Sequence, residues 1–298
     1  MLRRSLIALV DEAIELPDEI VVVNAGDEQA DQVFSDFVNR NGITLHLVKT
    51  INRGPGANRN VGLPVCTGDI VAITDDDAEV GPDWVHQMRR THLEHQEAGA
   101  VGGSVSGINS QRSFVSRLVD LVYWPTSSEP AYVRTLPTVN ISYKREALER
   151  VGLFDETLLC GEDVDYNWRL QRLGYRVFYN PEIQVKHHNL TSLKALCLRQ
   201  YRVGRYYYIV RSKWPGMYCV YPHRLHEFRD YLKAVNFCVS TFYRPFRICM
   251  RLSEWTERLG AVPVLLAHQI AWKIGIISQA LATTKRKWSL RSMLRKSS

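Results

Sequence analysis

The sequence lacks paired cysteine spacings and a recognisable secretory leader, and its last third contains few acidic residues. Its six cysteines are scattered without the close spacing of zinc or dithiol sites, which argues against a disulfide framework and favours a reduced setting. A leader is not predicted because the apolar run Leu6–Val10 is short and continues directly into Asp11 and Glu12. We therefore expect a protein that stays in the cytoplasm.

The charge is unevenly distributed along the 298 residues. Residues 1–189 contain 18 Lys and Arg against 27 Asp and Glu, whereas residues 190–298 contain 20 against 4. Together with the patterns below, this contrast predicts a catalytic domain over residues 1–190 and a basic helical region over residues 191–298. A strongly basic region needs an anionic partner, and lipid and nucleic acid are the two candidates.

Alternating strand and helix patterns predict an α/β fold for the first region. Glu19–Asn24 is an apolar run ending in a polar residue, as in a parallel strand buried on both faces. Helices are predicted over residues 28–40 and 82–97, and residues 106–138, which lack periodicity, are predicted to form a mobile loop. This spacing of crossover units predicts a doubly wound, mostly parallel sheet. The other predicted strands are Thr44–Val48, Asp69–Thr74, Ala100–Val105, Val139–Tyr143, Tyr175–Tyr179 and Ile183–Lys186.

Three adjacent carboxylates, Asp75, Asp76 and Asp77, follow one of these predicted strands. They repel one another, and a divalent cation such as Mg²⁺ or Mn²⁺ would remove the repulsion and could in turn hold phosphates. Ligands of open α/β sheets bind at the carboxyl ends of the strands, where this cluster would lie. The alternative is a solvated acidic turn.

A second acidic pair, Glu162 and Asp163, begins a predicted helix. Free backbone N–H groups and the helix dipole stabilise carboxylates there, so both residues could be ordinary helix-start residues. Asp165 precedes Arg169 by one turn and is interpreted as a member of a surface ion pair. Glu162 and Asp163 are therefore the candidates for a chemical role.

The second region shows only helical patterns. Helices are predicted over residues 192–213 and 225–252, with Pro245 kinking or breaking the second one, and over residues 263–281. Polar residues of the last helix fall within an arc of about 140°, which favours a helix lying in the membrane interface over a spanning one. Packing in a protein core is the alternative. These polar residues are His268, Gln269, Lys273 and Gln279.

The basic tail from Lys285 onward contains Trp288 and no acidic residue. Basic residues interleaved with Trp and Leu favour an anionic lipid surface. Nucleic acid is the second choice, because basic charge alone does not distinguish between polyanions. We expect a protein that binds the cytoplasmic face of the membrane peripherally and has no nucleic-acid partner.

Seven short motifs occur in a characteristic order. They are Asp18–Asn24, Asn52–Asn60, Gly68–Asp77, Asn140–Glu146, Val151–Asp155, Gly161–Asp163 and Pro181–His187. In their order and spacing they resemble the inverting, nucleotide-sugar-dependent glycosyltransferases of family 2, which have the GT-A fold. The resemblance implies transfer of a sugar from a nucleoside diphosphate, with UDP as the first expectation, to a lipid-linked or polysaccharide acceptor.

The resemblance also implies roles for both acidic sites. Asp75 and Asp77 would form the Asp-x-Asp pair, with Asp77 on Mn²⁺ or Mg²⁺, Asp75 near the nucleotide ribose and Asp76 in the same donor site. Asp163 would deprotonate the acceptor hydroxyl with Glu162 as its companion. Neighbouring carboxylates raise one another's proton affinity, which suits a base that works near neutral pH. Attack opposite the leaving group would invert the anomeric carbon.

Three further residues are assigned by the same resemblance. Arg59 matches an arginine that contacts the nucleotide. Asn24 stands where many members have an Asp that faces the base of the nucleotide. An Asn side chain can still form hydrogen bonds with the imide edge of a base, so UDP sugars are the first expectation and dTDP and GDP sugars are the alternatives. His187 matches a histidine that completes the metal site in some members, although the adjacent His188 leaves the choice of residue open.

An apolar first strand, which the resemblance implies, is missing. Residues 3–14 resemble the helix that follows it, and loss of a central strand should leave buried N–H and C=O groups without partners. Either the natural chain begins upstream of Met1, or another segment fills the position, or this copy is impaired. If this copy is impaired, the alternative function is that of a non-catalytic, membrane-associated protein that binds nucleotide sugars. Nucleotidyl transfer is disfavoured because no Gly-rich basic phosphate loop follows the first predicted strand.

Overall fold

The structure is a computed structural model of the chain. It describes residues 1–38, 40–125, 127–214, 216–221 and 227–296. Residues 286–296 are described by their backbone alone, so the basic side chains predicted after Lys285 lie outside the described residues. The chain divides into two compact units, Met1–Asn189 and Leu190–Ser298. The functions predicted for the two regions stay predictions.

The first unit alternates helices and strands. Its helices are α1 (Leu2–Val10), α2 (Glu28–Ser35), α3 (Pro55–Gly62), α4 (Trp84–Glu94), α5 (Phe114–Tyr123), α6 (Arg145–Val151) and α7 (Glu162–Arg172). Its strands are β1 (Glu19–Asn24), β2 (Thr44–Lys49), β3 (Ile70–Ile73), β4 (Ala78–Val80), β5 (Ala98–Gly107), β6 (Ala131–Val133), β7 (Ile141–Lys144) and β8 (Arg176–His187).

A mixed sheet lies at the centre of the first unit. Its strand order is β3-β7-β5-β8-β4, and β6 also pairs with β8. Within the described residues of this sheet, β5 and β8 run parallel and the other neighbours are antiparallel. The α/β prediction is confirmed, but the sheet is mixed rather than mostly parallel, because β7 enters between β3 and β5 in the opposite direction to both.

β1 and β2 form a separate parallel pair. In the described part of the chain, α1 precedes β1. There β1 pairs with β2 on one edge and β3 pairs with β7 on one edge, so each of these two strands has a second edge without a strand partner. The Glu19 carboxylate accepts a hydrogen bond from Gly68 N–H at 3.0 Å, which ties the start of β1 to the segment before β3. Residues 19–23 are half-buried rather than buried on both faces as predicted. Backbone groups on such an edge can bond to water, which lowers the predicted cost of a missing strand.

α5 and β6 contradict the prediction of a loop over residues 106–138. The Ser113 side chain caps α5 by accepting a hydrogen bond from Ser116 N–H at 3.3 Å, and Leu118 and Val119 are fully buried. A helix of fewer than three turns shows too few repeats to stand out between Ser- and Pro-rich flanks. β8 is one strand rather than two, and Pro181 lies at the irregularity in its pairing with β5, where proline is tolerated.

The described part of the second unit is helical, as predicted. Its helices are α8 (Leu193–Lys213), α9 (Phe228–Cys249) and α10 (Trp255–Lys296). Pro245 lies inside α9 and does not break it, whereas a kink at Pro245 stays a prediction. The predicted helix start at residue 263 is wrong, because Pro263 lies inside α10, which begins about two turns earlier. A proline removes one helical donor, a local cost that packing of the rest of the helix offsets.

The polar residues of α10 point into the second unit. His268, Gln269 and Lys273 are 5%, 7% and 7% exposed, because α10 packs on α8 and α9 through this face. The polar face from which an interfacial helix was predicted is therefore not an outer surface at these three residues, and core packing, the alternative, is correct for this face. A helical wheel groups residues on one side but does not show which side the rest of the protein covers.

Candidate functional site

The pairing of β4 with β8 assembles the first part of the site. Asp75 and Asp77 lie between β3 and β4, and Ala78 pairs with His187, the last residue of β8. One ligand atom from each of Asp75, Asp77 and His187 lies within 4.8 Å of the other two. His187 Nε2 is 3.2 Å from Asp77 Oδ1, whereas His188 donates its backbone N–H to the Asp77 carbonyl. The structure thus brings His187, and not the adjacent histidine, to the carboxylates.

The charges in this cluster affect one another. Burial by itself would lower the pKa of His187, but its hydrogen bond to Asp77 and the charges of both carboxylates outweigh burial and raise that pKa. For Asp77, burial would raise the pKa, and the bond and charge of His187 lower it instead. Loss of solvation and the charges of Asp77 and Asp75 raise the pKa of Asp76. This is the carboxylate repulsion expected from the sequence.

The start of α7 carries the second acidic pair. Gly161 has a φ of 77°, which glycine adopts without strain, and the chain turns there into the helix. Glu162 is buried and Asp163 is half-buried. Asp165 does pair with Arg169, at 3.0 Å, but Asp165 is fully buried rather than on the surface as predicted, because it lies on the face of α7 that packs into the core.

Arg59 on α3 joins the two acidic sites. Its guanidinium is 2.6 Å from Glu162 Oε1 and 3.4 Å from Asp75 Oδ1, and its side chain is 14% exposed. The two sites, separated by more than eighty residues in the sequence, therefore lie on either side of one guanidinium. Since a guanidinium can bond to two carboxylates at fixed angles, Arg59 sets the distance between them.

Asp163 lies in an environment that favours its protonated form. Loss of solvation, followed by the charge of Glu162, raises the pKa of Asp163 to about 7. The Val164 N–H bond to Asp163 Oδ1, at 2.7 Å, and the charge of Arg59 oppose this rise. A carboxyl group with a pKa near neutrality can accept a proton in one step and release it in the next.

Asn24 is buried and its side chain is fully engaged in the loop after β1. Its Nδ2 donates to Asp27 O and Asp31 Oδ1, both at 2.7 Å, and its Oδ1 accepts from the N–H groups of Gly26 and Asp27. These four bonds use the hydrogen-bonding capacity of the amide. Contact with a nucleotide base stays a prediction, and it would require some of these bonds to be exchanged.

Two structural contributions to the site were not predicted. Asn60 on α3 donates to Phe154 O at 3.0 Å and accepts from Phe154 N–H at 2.8 Å, which fixes α3 against the segment leading to α7. Trp124, just after α5, places its ring 5.3 Å from that of His187 and donates to Asn189 Oδ1 at 3.1 Å. Asn60 is adjacent to Arg59 in a recognised motif, whereas Trp124 gave no signal in the sequence.

The sequence pattern of glycosyl transferase family 2 matches residues 1–152. The chain belongs to this family. It is 29% identical over 255 residues to the glucosyl-dolichyl phosphate glucuronosyltransferase of Haloferax volcanii. This alignment covers 77% of this chain and 75% of that protein. It is 32% identical over 156 residues to the pre-mycofactocin glycosyltransferase of Mycobacterium tuberculosis. That alignment covers 50% of this chain and 33% of the relative.

The fold of this family 2 glycosyltransferase is also found among solved structures. The mannosyltransferase PcManGT from Pyrobaculum calidifontis, in complex with GDP-Man and Mn²⁺, superposes with a TM-score of 0.60. The match covers 93% of this chain and 83% of that chain at 18% identity. That likeness confirms the predicted GT-A fold. The family 2 protein is accordingly a glycosyltransferase enzyme that uses nucleotide-sugar donors.

Proposed function

We propose that this glycosyltransferase is metal-dependent and inverting, and that it transfers a sugar from a nucleoside diphosphate to a hydroxyl group of a lipid-linked or polysaccharide acceptor. The observation that supports this most is the double contact of Arg59 with Asp75 and Glu162. Because Arg59 contacts both the Asp-x-Asp segment and Glu162, the neighbour of the candidate base, this supports a shared site for the two acidic groups. Donor and acceptor could then meet between them.

Asp75, Asp77 and His187 would hold the cation. Two carboxylates and one imidazole within 4.8 Å of one another fit a divalent ion, and the mixed oxygen and nitrogen donors suit Mn²⁺ better than Mg²⁺, which prefers oxygen. When bound, such an ion neutralises charge that develops on the diphosphate leaving group. The presence of Mn²⁺ in the mannosyltransferase complex supports this assignment.

Asp163 would act as the base. Its carboxylate takes the proton of the acceptor hydroxyl while the acceptor oxygen forms a bond to the anomeric carbon. The bond from that carbon to the diphosphate oxygen breaks on the opposite face, and the nucleoside diphosphate leaves, so the anomeric configuration inverts. Glu162, held by Arg59, lies beside Asp163, and the charge of Glu162 raises the proton affinity of the base.

Arg59, Asn24, Asp75 and Asp76 would contact the donor. Arg59 is the one of these with a positive charge, and it lies beside the cluster that would hold the metal and diphosphate. UDP is our first choice of nucleotide. The GDP-Man in the mannosyltransferase complex makes GDP sugars the necessary comparison.

The acceptor and the location are inferred less directly. The name of the Haloferax volcanii relative specifies a dolichyl phosphate acceptor, which supports a lipid-linked acceptor here. A net excess of 16 positive charges in residues 190–298 supports peripheral attachment to an anionic membrane, and we place the protein on the cytoplasmic face.

Replacing Asp163 by Asn tests the proposal. The amide has nearly the same shape but cannot accept the proton, so release of nucleoside diphosphate from UDP or GDP sugars with Mn²⁺ and membrane extract should fall by about 10²–10⁴-fold. Nucleotide binding, measured by thermal shift, should persist. The matched control is Glu94→Gln, an exposed member of a surface pair with Arg90. Equal turnover in Asp163→Asn and in the control variant would contradict the proposal. If the wild type and both variants bind nucleotide but none of them shows turnover, the protein is a nucleotide-sugar binder rather than an enzyme.

A further inference from the structure

α9 exposes an apolar stripe along its whole length. The stripe recurs every three or four residues, so it occupies one face of the helix. Its members are Phe228, Tyr231, Leu232, Val235, Val239, Phe242, Phe246 and, just after the helix, Met250, all more than half exposed. A helix that packs only against protein and water buries such a stripe, whereas here Phe237, Ser240 and Cys249 on the other face are buried.

α10 exposes a second stripe of the same kind. Its members are Leu259, Pro263, Ile270, Ile274, Ile277 and Leu281. They recur at helical spacing, and none carries a charge. The first and last members of each stripe are 22 positions apart in the sequence, or about 33 Å at 1.5 Å per residue. Contiguous apolar surface of this size is uncommon on a monomeric soluble protein and marks an interaction site.

The polar groups of these helices point inward instead. Lys273 Nζ on α10 donates to Ser240 Oγ at 3.0 Å, and also to Thr241 Oγ1 and the Phe237 carbonyl on α9. His268 bonds to Gln200 on α8. Apolar side chains outside and hydrogen-bonded polar side chains such as Lys273 inside are the reverse of the arrangement that water selects, and they match an apolar surrounding.

Charge distinguishes a lipid bilayer from a second copy of the chain as the partner. Residues 190–298 have 20 basic and 4 acidic residues, so two copies would repel through these units. Exposed Arg229, Lys233 and Arg247 flank the stripe of α9. Basic residues beside an apolar face suit an anionic lipid surface, where the charges meet headgroups and the stripe meets acyl chains.

We infer that α9 and α10 lie in the plane of the membrane, with the two apolar stripes embedded in the acyl chains of one leaflet. By length and composition alone, Trp255–Lys285 could also cross a bilayer. However, α8 packs on the middle of α10, where Gly204 closely approaches the Trp272 carbonyl, and it exposes Arg202 and Arg205. A spanning α10 would carry these two arginines to the centre of the hydrocarbon, which is strongly unfavourable.

Vesicle flotation of the full chain tests this inference without any sugar transfer, so its failure would leave the proposed reaction untouched. Phe242 and Ile274 are 71% and 52% exposed, and Leu93 on α4 of the first unit is 75% exposed. The probe is a vesicle of phosphatidylcholine with phosphatidylglycerol. Phe242→Glu combined with Ile274→Glu should lower the partition coefficient at least tenfold, or about 1.4 kcal/mol. Leu93→Glu, the matched control, should bind like the wild type.

Salt and protease access separate the other outcomes. Embedded wild-type protein should stay bound in about 1 M salt, where the Debye length is about 3 Å, whereas attachment by charge alone would be released and would overturn the inference. Trypsin added outside the vesicles should remove a C-terminal tag after the exposed Lys285. A protected tag would show a spanning helix. A lipid-free dimer that Phe242→Glu dissociates, together with unchanged flotation, would show that the stripes bind a second copy.

Discussion

Removing Arg59 should destabilise the first unit severely, because its guanidinium is the shared partner of two carboxylates. The Arg59 side chain is 14% exposed, and those of Glu162 and Asp75 are 8% and 38% exposed. Breaking a buried pair by removing one partner costs about 3–5 kcal/mol, and the partial exposure of Asp75 places Arg59→Ala at about 3 kcal/mol. For a domain of this size that is a fall in Tm of roughly 6–12 °C.

The matched control for Arg59→Ala is Arg53→Ala. Arg53 also pairs with a glutamate, at 3.2 Å, but both side chains are at least 41% exposed, so its loss should cost less than about 1 kcal/mol. Thermal unfolding should be measured at about pH 8 and pH 6. The loss should be larger at the higher pH, because the Asp163 carboxyl, whose pKa is about 7, is charged there, and the variant lacks the Arg59 charge that favours this charged form. Equal melting of the two variants at both pH values would refute the link between the acidic sites.

Three other predictions concern separate features. The wild-type kcat should rise as pH increases through about 7, because the base works only after Asp163 has lost its proton, and a rate that is flat across this range would contradict the role of Asp163. His187→Ala should reduce the rise in Tm that Mn²⁺ produces, while His188→Ala should leave it intact; equal effects would argue against His187 as a ligand. Gly204→Ala should destabilise the second unit by about 1–3 kcal/mol in urea unfolding, since an added Cβ would lie 2.0 Å from the Trp272 carbonyl oxygen; an unchanged midpoint would refute the close approach of α8 and α10.

The parts of the site that follow directly from local sequence could be predicted. Asp75 and Asp77 come directly after a strand, and Glu162 and Asp163 begin a helix, so each position follows from a local pattern that the sequence displays. The contact of Arg59 with Glu162 joins residues 103 positions apart. Its geometry depends on how α3 and α7 pack, and motif order suggests this proximity but does not fix it.

Other features could not be predicted because they depend on what surrounds an element. The pattern of α10 identified one polar face, but burial of His268 and Lys273 becomes apparent only once α8 and α9 are in place. The mixed sheet depends similarly on where β7 enters. Local pattern gives the type and face of an element, whereas tertiary packing decides which side is covered.

Crystals of the protein grown with UDP and Mn²⁺ provide the most direct measurement, through anomalous scattering from the manganese. We expect one strong peak bonded to Asp77, Asp75 and His187, with the diphosphate beside it and the Asp163 carboxylate facing the same cavity. A manganese peak at another place, or an Asp163 side chain directed away from the bound nucleotide, would contradict the claim that both acidic sites serve one reaction.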